Sequence, residues 1–90
     1  MVNFYAIYDK SLNLSNNPFP ARDDTAAVQT VRNMLLAAGD NILPRIVPVC
    51  DLRFVGAFDE ENACFDDRIS SRVVCSLSDI PIPEPKRGDT

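Results

Sequence analysis

Leu52-Arg53-Phe54-Val55-Gly56-Ala57-Phe58-Asp59-Glu60-Glu61-Asn62-Ala63-Cys64-Phe65 is the stretch that decides the fold. Its first half alternates as a strand does. Leu52, Phe54 and Phe58 share one face, and Arg53, Val55 and Ala57 share the other. Gly56 interrupts the Phe series and marks a bulge or a close backbone approach. Asp59-Glu60-Glu61-Asn62 has turn composition, and Ala63-Cys64-Phe65 returns, so 52–65 reads as a β-hairpin.

Upstream, residues 2–8 (Val-Asn-Phe-Tyr-Ala-Ile-Tyr) are apolar on both faces, the mark of an interior strand. Phe4 and Tyr8 point one way with Val2 and Ala6; Tyr5 and Ile7 point the other way. Asn16-Asn17-Pro18 signals a turn, and Pro18-Phe19-Pro20 is extended. The spacing of Ala27, Val31, Met34, Leu35 and Ala38 predicts one amphipathic helix over 24–38. Asp23 or Asp24 caps its start, and Gly39 ends it in the left-handed region. Pro44 and Pro48 keep Arg45-Ile46-Val47 short or at a sheet edge. Downstream, Val73, Cys75 and Leu77 alternate with Arg72, Val74 and Ser76 as a further strand. No internal repeat is evident. The predicted fold is α+β: one helix packed on a small, mainly antiparallel sheet of three to four strands. The domain spans 1–79, and 80–90, with Pro81, Pro83 and Pro85, forms an extended tail.

Ninety residues suit one domain. The chain has no histidine, which excludes Ser-His-Asp and Cys-His catalysis and His-ligated zinc. Cys50, Cys64 and Cys75 are an odd set without a CxxC pair, so they read as reduced core thiols, with neither a disulfide framework nor a thiolate zinc site. No targeting segment or membrane-length apolar run is visible, and a soluble product is expected. No nucleophile stands beside an activating base, so no enzymatic activity, cofactor or metal is expected. Net charge is −4, from 13 acidic and 9 basic side chains. Residues 1–58 carry five of each, whereas 59–90 carry eight acids and four bases, so the excess lies after Phe58.

Three groups could carry function. Asp59, Glu60, Glu61, Asp66 and Asp67 form an acidic cluster that could dock a basic protein surface. They do not make an EF-hand loop, because Cys64 and Ser70 stand where the loop needs Gly and Glu. The aromatics Phe4, Tyr5, Tyr8, Phe54, Phe58 and Phe65 could stack unpaired bases. Alternation assigns Phe4, Phe54 and Phe58 to the core under the helix. Tyr5, Tyr8, Arg22 and Arg53 remain as candidate DNA-contacting residues. The basic residues are scattered, and acidity disfavours autonomous duplex binding.

Three segments carry a resemblance: Phe4-Tyr5-Ala6-Ile7-Tyr8-Asp9, then Pro18-Phe19-Pro20-Ala21 leading into the helix, then Phe54-Val55-Gly56-Ala57-Phe58-Asp59. Their order and spacing resemble the small nonstructural protein of gokushovirus-type microviruses, tailless single-stranded DNA phages. Pro20 and Ala57 depart from that pattern, where a Phe and a Glu are usual. The likeness covers about residues 2–65. It implies a DNA-binding or C-protein-like factor in the switch from duplex replication to single-stranded DNA synthesis and packaging. It also implies, as partners, the replication initiator, procapsid proteins and viral DNA, contacted weakly or within a complex. The expected place is the host cytoplasm, outside the virion. The charge distribution favours docking on the replication or packaging complex through the sheet edge, acidic hairpin or tail. The alternative is an accessory capsid-assembly protein without nucleic-acid contact. Short strands leave open edges, so a homodimer by edge pairing is also expected.

Overall fold

The computed structural model describes residues 1–39 and 43–81. The elements are β1 (Val2–Asp9), β2 (Leu14–Ser15), β3 (Phe19–Ala21), α1 (Asp24–Ala38), a helical turn α2 (Leu43–Ile46), β4 (Cys50–Asp59), β5 (Cys64–Phe65), β6 (Arg72–Ser76) and a 3₁₀ turn at Leu77–Asp79. The fold is α+β, with one main helix on a curled antiparallel sheet. Six strands replace the three to four expected. The additional ones are the two-residue strand β2 and the three-residue strand β3, too short to show a period of two. β1 and β4 pair along their whole length at the centre. β2 and β3 flank β1, and β5 and β6 flank β4.

Asn16 bridges the gap between β2 and β3. Its backbone N–H donates to the Ile7 carbonyl at 3.0 Å, and its side-chain oxygen accepts from the Ile7 N–H at 2.8 Å. β1 therefore keeps a partner across the Asn-Pro turn. The segment around Pro44 forms no strand: it makes the helical turn α2, whose second residue is Pro44, and proline is tolerated in a first turn.

The helix occupies the expected span. Asp23 is the cap, accepting from the Ala26 N–H at 2.8 Å. Gly39 takes the positive φ of 87°, paired with an extended ψ of 164° in place of the left-handed value. The buried stripe is Ala27, Val31 and Leu35, with Val28 packed beside it. Met34, assigned to that stripe from its spacing, is instead 41% exposed at the edge of the helix face. The core also takes in Tyr5, Leu52, Phe54, Ala57, Leu77 and Ile80. Ile80 thus packs with the domain, one residue beyond the boundary drawn from composition, and the tail after Pro81 lies outside the described residues.

A bulge at Val55 reassigns the faces. Phe4 pairs with Gly56 while Tyr5 pairs with Phe54, so Val55 is the extra residue. Leu52 and Phe54 therefore face the helix together with Tyr5 and Ile7, and Phe58 switches to the other face with Phe4. The expectation that Phe4, Phe54 and Phe58 form one core row fails because strand phase changes by one residue at the bulge. Phe65 sits on the far face against Phe4 and Phe58, with ring centroids 5.8 and 5.4 Å apart. A Cβ on Gly56 would come within 3.1 Å of the Phe65 ring, so the glycine provides the close approach.

The two central strands end alike. Tyr8-Asp9 and Phe58-Asp59 each lead into a four-residue connection whose last residue, Asn13 or Ala63, has positive φ (52° and 54°). Asp9 accepts from the Ser11 and Leu12 N–H groups, and Asp59 from those of Glu61 and Asn62. The Asn16 N–H bonds to Ile7, and the Asp66 N–H to Ala57. The hairpin is thus built twice, fifty residues apart, related by the local twofold of the β1–β4 pair. The repeat lies in backbone geometry and two aromatic-Asp steps, with little other sequence identity.

Candidate functional site

The helix covers one face of the sheet; among the described residues nothing covers the other. By register, that open face carries the half-buried Val2, Phe4, Tyr8, Arg53 and Phe58 and the exposed Phe65, with Ala6 and Asp51 buried among them. Phe65 is 54% exposed, and Val73, opposite Arg53, is 52% exposed. An antiparallel sheet with one free face ordinarily turns polar residues to solvent; an aromatic row there marks a contact surface. The Arg53 guanidinium lies 4.2 Å from the Tyr8 ring centroid, a cation–π stack, and its Nε is buried without a hydrogen-bond partner.

The candidate DNA-contacting residues do not form one site. Tyr8 and Arg53 meet on the open face. Arg22 follows β3 and lies at the opposite, Val2 end of the sheet. Tyr5 is buried on the helix face, where its hydroxyl donates to Asp24 at 2.7 Å. That burial removes it from base stacking. Asp24 in turn takes a bidentate contact from Arg72, at 2.8 and 2.9 Å, and Arg72 covers the Phe54 ring. The three-residue link ties β1, α1 and β6. No local pattern announces it, because Arg72 lies 48 residues from Asp24.

This network sets two ionisations. Burial, reinforced by the hydrogen bond to Asp24, pushes the Tyr5 phenol up to about 12. Arg72 and then Tyr5 hold the Asp24 carboxyl below the usual carboxylate range. A phenol with a raised folded-state pKa stabilises fully below its unfolded pKa and loses that contribution as pH rises toward the folded value. Alkaline unfolding is therefore expected between about pH 10 and 12, with about 2–3 kcal/mol of stability lost across the window. Denaturant midpoints from pH 8 to 12 check this, and Tyr5→Phe removes that part of the pH dependence.

The acidic cluster divides. Asp59 builds its own turn, and the Arg68 hydrogen bonds hold Asp66 down at about 2. Glu60 meets the N-terminal ammonium at 3.3 Å. Glu60, Glu61 and Asp67 stay exposed at the Val2 end of the sheet. Among the described residues four cations have partners within the chain: Lys10 with Asp51, Arg68 with Asp66, Arg72 with Asp24, and Arg32 with the Pro81 carbonyl. Among the described residues no group of three His, Cys, Asp or Glu side chains is placed to hold a metal, and no helix is long and apolar enough to cross a membrane. All three cysteines are free. Cys50 is buried and Cys75 half-buried, but Cys64, in β5, is exposed, a departure from the core position expected for it. A hollow of about 300 Å³ by Val2, Asn3, Pro20 and Arg22 is open to solvent and gathers no nucleophile or carboxylate pair.

These features define a small α+β module with a helix-covered core and an open aromatic face. The chain belongs to the Phage ORF5 protein family, whose model matches residues 2–80, and it is thus a bacteriophage protein. No match was found among curated proteins or among solved structures.

Proposed function

We propose that this phage protein is a nonstructural docking factor. It acts in the switch from duplex DNA replication to single-stranded DNA synthesis and packaging by binding the replication or packaging complex. Family membership supports a phage role, and the resemblance of the three motifs to the microvirus nonstructural protein supports the process. The observation that carries the docking mode is the charge layout: among the described residues Lys10, Arg32, Arg68 and Arg72 each hold a partner within the chain, while Glu61 and Asp67 project from one end of the sheet beside Glu60. A duplex binder needs its cations free for several phosphates. An exposed acidic end instead suits a basic protein surface.

The test is binding of the purified chain to the phage's replication initiator and to its procapsid proteins. Glu61→Lys with Asp67→Lys is expected to weaken binding about tenfold or more. Binding to the initiator supports the replication switch. Binding to procapsid proteins alone favours the capsid-assembly alternative. Salt-sensitive duplex binding with a log–log slope steeper than about −4, several phosphates' worth, would sink the docking mode.

A further inference from the structure

We propose that the open aromatic face is covered by a second copy of this chain, packed face to face with the two sheets crossed end over end. Edge pairing is disfavoured. The edge strand β3 holds Pro20, and β6 carries a bulge at Val74, since Leu52 pairs with Cys75 and Arg53 with Val73. Proline and bulges blunt a sheet edge.

The face itself has the properties of a sandwich interior. It spans about four strand columns and eight residues, roughly 19 by 26 Å. Two copies would bury on the order of 1,000 Å² together, the lower limit of a specific interface. At that size the expected dimer is weak and reversible.

Self-complementarity selects the arrangement. The repeated hairpin gives both ends of the face the same backbone shape, so charge decides between parallel and crossed packing. The Val2 end carries Asp59, Glu60 and Glu61 against the N-terminal ammonium and Arg22, and stays acidic with Asp66 and Asp67; the other end is balanced, with Arg53 stacked on Tyr8 and Lys10 beside Asp9 and Asp51. Crossing brings Tyr8 of one copy over Phe58 and Phe65 of the other. It also directs the acidic hairpin toward the Arg53 guanidinium. Parallel packing would set the two acidic ends against each other. If the docking reading also holds, dimer and docked monomer exclude one another, because the crossed contact covers the acidic end.

Sedimentation of the full chain needs no phage partner, so its outcome is independent of the docking test. Between about 1 and 500 μM the 10.0 kDa chain is expected to shift from monomer to dimer. Phe65→Asp and Val73→Lys, both at exposed positions, should each weaken the dimer about tenfold or more with unchanged circular dichroism. If one variant unfolds, the other decides. Arg53→Glu and the pair Glu60→Arg/Glu61→Arg should each weaken it, and mixing the two charge-reversed chains should restore it. A monomer at every concentration overturns the proposal, as does a dimer insensitive to Phe65→Asp and Val73→Lys. Failure of the mixed chains to recover overturns the crossed arrangement. Binding of an oligo-dT strand over Tyr8 by an otherwise monomeric chain would assign the face to nucleic acid instead.

Discussion

Leu52→Ala is expected to lower stability by about 3–4 kcal/mol, within the range for a large-to-small change at a closed site. Leu52 is fully buried and central in every direction. It pairs with Ile7 on β1 and Cys75 on β6, and it shares its core with Val31 and Leu35 of the helix. β4 is held on both sides, so the sheet has little freedom to close around the lost methyls. A domain of this size has only about 5–10 kcal/mol in total. The melting temperature should therefore fall by roughly 15 °C or more. Urea denaturation followed by circular dichroism checks this, with a lower midpoint and an unchanged slope. Met34→Ala is the control. Met34 is partly exposed, and its loss should cost under about 1 kcal/mol.

Asp24→Ala is expected to cost about 2 kcal/mol. It removes the acceptor of the buried Tyr5 hydroxyl and frees Arg72 at once. An orphaned buried hydroxyl costs about 1–3 kcal/mol, whereas Tyr5→Phe removes donor and demand together and should cost less. The double variant should be no worse than Asp24→Ala alone, and the cycle should return a coupling of about 1 kcal/mol. The Asp24 contribution also depends on pH. A carboxylate with a depressed folded-state pKa stabilises above its unfolded value near 4 and loses that contribution as pH falls below it. The difference between wild type and Asp24→Ala should shrink in acid.

The strongly periodic elements were legible in the sequence. The helix boundaries follow from Asp23, the Ala27-Val31-Leu35 spacing and Gly39, because local capping and periodicity decide them. The interior place of β1 follows from its two apolar faces. The hairpin of β4 and β5 follows from alternation broken by Asp59-Glu60-Glu61-Asn62. What failed was phase. Gly56 signals an irregularity, but only the pairing with β1 shows that Val55 is the inserted residue and that Phe58 changes face. Met34 satisfies helical spacing, yet the sheet beneath is too narrow to cover it. The Tyr5-Asp24-Arg72 link joins three elements far apart in the chain, and no local rule marks it. The second hairpin was within reach, since Tyr8-Asp9 and Phe58-Asp59 are the same step at the same distance from a turn.

The account rests on the division of the aromatics by the Val55 bulge. Nuclear Overhauser contacts from the ring protons test it directly. The Phe54 and Tyr5 rings should contact each other and share contacts with core methyls, including Val31 and Leu35, while Phe58 contacts Phe65 and Phe4 and none of the helix. Phe58 in contact with the helix methyls alongside Phe54 would mean an unbroken strand, and the open aromatic face would not exist.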